Sequence, residues 1–150
     1  MKINQKMLLY ISLILSLVGT LMSLYFSEIL HFPPCILCWY QRIAMYPLIP
    51  ILAIGIYLKD KKLPFYVLPL SVSGLFIAIY HNLLYYKILP ESATPCLLGV
   101  SCTTKYIEWF GFITIPLLSL IAFLIITVCM IGYGIILKIK DKISKTQVKK

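Results

Sequence analysis

The chain has 150 residues, of which 61% are hydrophobic and only 13% charged. Soluble domains carry about 45–50% apolar and about 25% charged residues, and a core of this size has no room for the excess, so a water-facing globular domain is excluded and the bilayer is the expected solvent. Fourteen Lys and Arg against five Asp and Glu give a net charge of +9; in a soluble protein that balance points to nucleic acid, but here the charges are segregated between loops, and the expected contact is membrane lipid, with no nucleic acid.

A membrane-spanning helix needs about 20 mostly apolar residues. Residues 7–26 meet that length without a charge; they are too long for a signal-peptide core, and no small-residue cleavage site follows. The next segment reads "PPCILCWYQR" (33–42) and runs into a second span over 39–58. A basic turn, "KDKK" (59–62), leads to a third span over 65–84, interrupted near its end by His81 and Asn82. After a loop rich in apolar residues comes a fourth span, 110–137, long enough to tilt or protrude, and then a basic tail, 138–150. Pro47, Pro50, Pro69 and Pro116 fall within these spans, where neighbouring groups re-satisfy the carbonyls that proline frees. The expected fold is an all-α membrane protein: one four-helix bundle over 1–137, with no internal repeat and no separate soluble domain.

Four spans put both termini on one side. That side carries eleven of the fourteen basic residues, in the N-terminus, the 59–62 turn and the tail. The opposite side has Arg42, Lys87 and Lys105, balanced by Glu28, Glu91 and Glu108. The positive-inside rule therefore predicts both termini in the cytoplasm, with the tail as a solvated anchor near anionic lipid. Tyr25, Phe26, Trp39, Tyr40, Tyr85, Tyr86, Tyr106 and Trp109 are expected at the outer interface, where His31 is simply solvated.

Topology sorts the five cysteines. Cys35 and Cys38 fall in the first extracytoplasmic loop, Cys96 and Cys102 in the second, and Cys129 within span four, where free cysteine behaves as a small hydrophobe. Four cysteines in two loops admit three pairings; the local one closes the shortest rings. A structural staple is one reading, but a ring closed over two residues restrains little chain. A four-thiolate zinc site is another; the Cys-x5-Cys spacing is loose for it, and an oxidising compartment works against free thiolates. Redox chemistry is the third. Thiolate is the attacking species, so a redox cysteine needs its pKa lowered. Pro33 and Pro34 suit a helix start, which places Cys35 and Cys38 at the positive end of a helix dipole. Arg42 lies four residues after Cys38, on the same face. Arginine at a helix end often snorkels to headgroups, but the thiol pair one turn away favours a functional cation.

"CILCWYQR" resembles the Cys-x-x-Cys-x-x-x-Arg signature of the disulfide bond formation protein B (DsbB) family. The resemblance extends through "SLYFSEIL", "MYPL", the second cysteine pair and "WFGFITIPLL" (109–118), most closely to the BdbC-like branch of Gram-positive bacteria. In vitamin K epoxide reductase-type proteins the Cys-x-x-Cys lies near the last core helix, whereas here it precedes the second. The resemblance implies a quinone-dependent thiol:disulfide oxidoreductase of the bacterial cell membrane that reoxidises an extracytoplasmic DsbA/BdbD-like carrier. Cys96–Cys102 is then the disulfide the carrier attacks, at Cys96, and Cys35–Cys38 reoxidises that pair. Cys38 contacts the quinone, menaquinone ahead of ubiquinone, and Arg42 holds a quinone oxygen. No metal is implied. Two departures stand out: the second pair is separated by only five residues, and the glutamine found one turn after a histidine in the family is replaced by Tyr85. His81 matches that histidine and is read as a helix-packing donor, with quinone neighbour as its alternative role. Two rival functions are a quinol-fed reductase running in reverse and a non-enzymatic metal-binding or scaffold protein.

Overall fold

The computed structural model describes residues 5–89 and 114–148, and these are entirely helical apart from turns. Helix α1 (Gln5–Leu24) continues into a π-helical turn (Tyr25–Ile29). Then follow α2 (Ile36–Met45), α3 (Leu48–Tyr57), α4 (Leu63–Tyr85) and α5 (Ile115–Val148). Four segments are long and apolar enough to cross a membrane: Gln5–Ile29, Ile36–Tyr57, Leu63–Tyr85 and Ile115–Ile143. Only 17% of the most apolar stretch of Gln5–Ile29 is buried within the protein. Met7, Ile14, Phe76 and Val128 point outward, so the exterior is as apolar as the core and requires a non-polar solvent.

Three boundaries differ from the sequence expectation. The second span starts at Ile36 rather than 39, because Cys35 caps it. It is also two helices instead of one: Pro47 has no N–H to give to the preceding turn, so α2 stops at Met45 and α3 restarts at Leu48, with Tyr46 N–H still donating to the Arg42 carbonyl at 2.9 Å. Within the described residues the last helix begins at Ile115, where Thr114 Oγ1 accepts the Leu117 N–H at 3.3 Å. Pro116 therefore sits in a first turn, the position that tolerates it. That helix does not stop at 137 but runs on to Val148, taking most of the basic tail into its last turns.

The tight turn between α3 and α4 is made by Lys59 in the left-handed region (φ 52°), after which the Asp60 N–H returns to the Gly55 carbonyl at 3.0 Å, closing α3 in the manner of a Schellman cap. Leu48, Leu52, Val67, Ala78, Phe123, Ile126 and Met130 form a fully buried core. In lipid, helices associate by close packing more than by water exclusion, so small residues matter. Ser12 and Ser16 are buried on α1 with their hydroxyls turned onto their own helix. Gly74 of α4 receives the ring of Phe123 where a Cβ would stand. Asn82 Nδ2 donates to the Ala78 carbonyl and across to the Pro116 carbonyl, both at 2.8 Å, pinning the end of α4 to the start of α5.

Gly74→Ala is expected to destabilise the bundle by about 1–3 kcal/mol through overpacking against a ring that cannot yield. A thermal-shift measurement in detergent checks this, and adding Phe123→Leu, which removes the obstructing ring, is expected to restore part of the loss.

Candidate functional site

Pro33 and Pro34 bring the chain extended to Cys35, whose backbone is β-like (φ −70°, ψ 169°), and α2 begins at the next residue. Cys35 is its N-cap: its Sγ accepts the Cys38 N–H at 3.4 Å. The expected helix-start placement of both thiols is thus realised, with one of the helix's otherwise unpaired N–H groups aimed at sulfur. The two sulfurs lie 3.0 Å apart. Leu37 and Cys35 pack on Leu84 of α4, and that contact delivers His81 to the thiols: its Nε2 is 3.8 Å from Cys35 Sγ. On the other side of the ring, the Gln41 side-chain amide is 3.4 Å from Nδ1. With the amide nitrogen donating to Nδ1, the imidazole proton resides on Nε2 and faces the sulfur.

Cys35 is consequently held well below the ordinary thiol value of 9.0, at about 4. The hydrogen bond from the Cys38 thiol is the largest cause; His81 adds a hydrogen bond and a favourable charge interaction, and these outweigh the opposing effect of burial. Sequence reasoning anticipated a lowered thiol but credited the helix dipole and Arg42, and it read His81 first as a packing donor.

Arg42 is buried, at 9% exposure, and does not snorkel. Its Nε and one terminal nitrogen donate to Ser23 Oγ and to the Ser23 carbonyl, each at 2.8 Å, just where α1 widens into its π turn. Its guanidinium lies 5.3 Å from the centre of the Trp39 ring. No carboxylate pairs with it among the described residues.

These groups share the wall of a cavity of about 490 Å³, lined by Cys35, Cys38, Gln41, Arg42, Tyr46, His81 and Tyr85, by Ser23 and Ser119, and otherwise by apolar side chains, most of them from α1 and α5. Val18, Met22, Leu118 and Ile121 belong to that lining and are each about half exposed, so the cavity opens sideways between α1 and α5. Tyr85, at the end of α4, is buried here. The space matches the size of small-molecule sites, and a dithiol and an unpaired cation on an apolar wall suit a flat, lipid-soluble electron acceptor. Cys35, Cys38 and His81 also bring three metal-ligating atoms within 4.8 Å of one another. Two thiolates on one tetrahedral zinc stand about 3.8 Å apart, given Zn–S bonds of about 2.3 Å, and a disulfide holds its sulfurs at about 2.05 Å; the separation of 3.0 Å lies between the two.

Cys96 and Cys102 lie outside the described residues, as do the second cysteine loop and Trp109. His31 is exposed with φ 53°, and Cys129 is buried on α5 and does not line the cavity. Gln41, Ser23 and Tyr46 were not anticipated. Gln41 and Tyr46 had a local signal, because residues 38, 41, 42, 45 and 46 repeat at helical spacing; Ser23 had none.

Residues 5–133 match the family model described as disulfide bond formation protein DsbB. The chain is 50% identical over 127 residues to disulfide bond formation protein C of Bacillus subtilis, covering 85% of this chain and 92% of that protein. It is 50% identical over 115 residues to the probable disulfide formation protein C 1 of Bacillus anthracis, covering 76% of this chain and 82% of that one. It is 46% identical over 129 residues to the SPbeta prophage-derived disulfide bond formation protein B of B. subtilis, covering 85% and 83%. No solved structure matches the chain.

In the reduced protein the Cys35 thiolate is expected to persist as pH falls and to be lost only as pH drops through about 4. Thiolate ultraviolet absorbance against pH checks this, and in His81→Ala the midpoint is expected to move upward, towards the ordinary thiol range near 8.5.

Proposed function

The chain belongs to the DsbB family of disulfide bond formation proteins, and from that membership we propose how its own residues carry out the reaction. It is a thiol:disulfide oxidoreductase that reoxidises a DsbA-like partner using quinone. The proposed partner is a BdbD-like thioredoxin-fold carrier, and the proposed quinone is menaquinone. The excess of Lys and Arg around the termini and the 59–62 turn supports an orientation with those parts cytoplasmic and the cysteine loops outside.

In this reading Cys96–Cys102 meets the carrier. A carrier thiolate attacks Cys96, the mixed disulfide is resolved by the carrier's second thiol, and the carrier leaves oxidised. Cys35–Cys38 then exchanges with the Cys96/Cys102 dithiol and becomes reduced. Quinone, when bound, accepts two electrons and two protons. The Cys35/Cys38 pair supplies both electrons as its S–S bond forms; one proton comes from the Cys38 thiol and the second, already given up by the Cys35 thiolate, returns from solvent, so thiolate, thiol, quinone and one proton balance with disulfide plus quinol. Cys35, the low-pKa thiolate, is the nucleophile that closes the bond onto Cys38, and Cys38 is the sulfur from which the electron pair departs into the cavity. His81, steadied by Gln41, keeps a proton directed at Cys35 Sγ and thereby stabilises the thiolate between turnovers.

The observation that carries the proposal is Arg42. A guanidinium that no described carboxylate neutralises, two of its five N–H donors spent on Ser23, faces an apolar cavity beside a dithiol. In such a medium a fixed positive charge stabilises negative charge as it develops on an acceptor. A metal-binding scaffold has no use for that cation, which separates it from the redox reading.

Quinone reduction by the purified protein, with a reduced DsbA-like carrier as donor, is expected to be abolished in Cys38→Ser and in Cys96→Ser while both variants stay folded. Arg42→Ala is expected to lower kcat/KM for quinone about tenfold or more, the equivalent of a charged hydrogen bond. Absence of turnover by folded wild type with several carriers and both quinone classes would sink the oxidase assignment.

A further inference from the structure

Among the polar groups on the cavity wall that the scheme above does not use, Tyr46 stands apart. Tyr46 lines the cavity, its ring packs against the core, and its Oη is buried with no hydrogen-bond partner. Among the described residues two other buried polar atoms are unpartnered, Thr20 Oγ1 and Asn82 Oδ1, but neither residue belongs to the cavity wall. An unpaired buried hydroxyl weakens a fold, and evolution has a simple remedy in phenylalanine. A hydroxyl retained there calls for a ligand.

The position of Tyr46 narrows the ligand. Tyr46 is the C-cap of α2 and keeps helical angles (φ −62°, ψ −43°), so Cys38, Arg42 and Tyr46 fall at i, i+4 and i+8 on one face. Successive members of that row are about 6 Å apart along the helix axis. A thiol, a cation and a neutral donor thus line one side of a single cavity in that order. Pro47 breaks the helix immediately after Tyr46, which fixes the row's last member at the bend.

We propose that Tyr46 donates a hydrogen bond through Oη to an oxygen of the quinone head bound in this cavity, as a second anchor one turn beyond Arg42. The inference rests on reading the cavity as the quinone site. The two donors divide the work by charge. The guanidinium interacts more strongly as negative charge develops, whereas a phenol, un-ionised near neutral pH, bonds the neutral oxidised head. Tyr46 therefore acts on binding more than on the electron-transfer step.

Tyr46→Phe in the full chain, purified in detergent and stripped of endogenous quinone, is the test, with menadione as the probe. Calorimetric titration is expected to show menadione binding about five- to tenfold weaker than in wild type, the loss of one neutral hydrogen bond. Infrared spectra with isotope-labelled menadione are expected to lose a hydrogen-bonded carbonyl band that wild type shows. The ligand-free variant is expected to melt at the same temperature as wild type or higher, because no protein hydrogen bond is removed. Equal affinity and unchanged carbonyl bands in the variant would overturn the role of Tyr46 while leaving the cavity assignment standing. A variant that melts clearly lower than wild type would also overturn it, by revealing a structural partner for the hydroxyl. A folded wild type that binds no menadione and shows no carbonyl shift would overturn the cavity assignment and the role of Tyr46 together.

Discussion

A guanidinium enclosed between two apolar helices governs this structure. Removing such an ion from water carries a penalty of several kcal/mol unless its donors are met, and among the described residues the hydroxyl and carbonyl of Ser23 meet part of the demand. That double bond draws α2 against the far end of α1, at the point where α1 loosens into a π turn. Single π turns inside helices are frequent at functional sites because they change which carbonyls a helix keeps for itself. Here the carbonyl at the junction goes to a cation. The guanidinium thus lies on the wall of the apolar cavity, beside the dithiol.

The thiols depend on a second constraint. Cys35 is not carried on a regular element; it is the cap that starts one. Its sulfur receives a backbone N–H, the neighbouring thiol and an imidazole edge, which are the groups that favour thiolate over thiol. The cap also fixes the spacing to Cys38, so that a small torsional change joins the sulfurs. A cysteine in mid-helix would have neither property. The proline pair upstream therefore matters to the chemistry as well as to the turn.

The four spans were legible because hydropathy over about 20 residues is a local property, and the grouping of Cys35, Cys38 and Arg42 was legible because one helical turn brings them together. Pro47 announced the break in the second span, but the length criterion read through it. The site's remaining contacts join residues far apart in the chain: 19 positions from Ser23 to Arg42, 40 from Gln41 to His81 and 46 from Cys35 to His81. Those depend on how α2 packs on α1 and α4, which a single sequence does not encode in any local pattern. For the same reason the role first favoured for His81 was packing.

The sideways opening of the cavity between α1 and α5 has a consequence for how affinity is expressed. Val18, Met22, Leu118 and Ile121 at its edge are about half exposed on the apolar flank of the bundle, so a lipid-soluble ligand has a route into it from the membrane phase. The variable that sets occupancy is then the mole fraction of ligand in the lipid, and an aqueous dissociation constant contains the ligand's partition coefficient as a hidden factor. Lengthening an isoprenoid tail raises the local supply without improving any contact in the cavity. Two micelle preparations with different detergent-to-protein ratios will report different apparent constants for one and the same site.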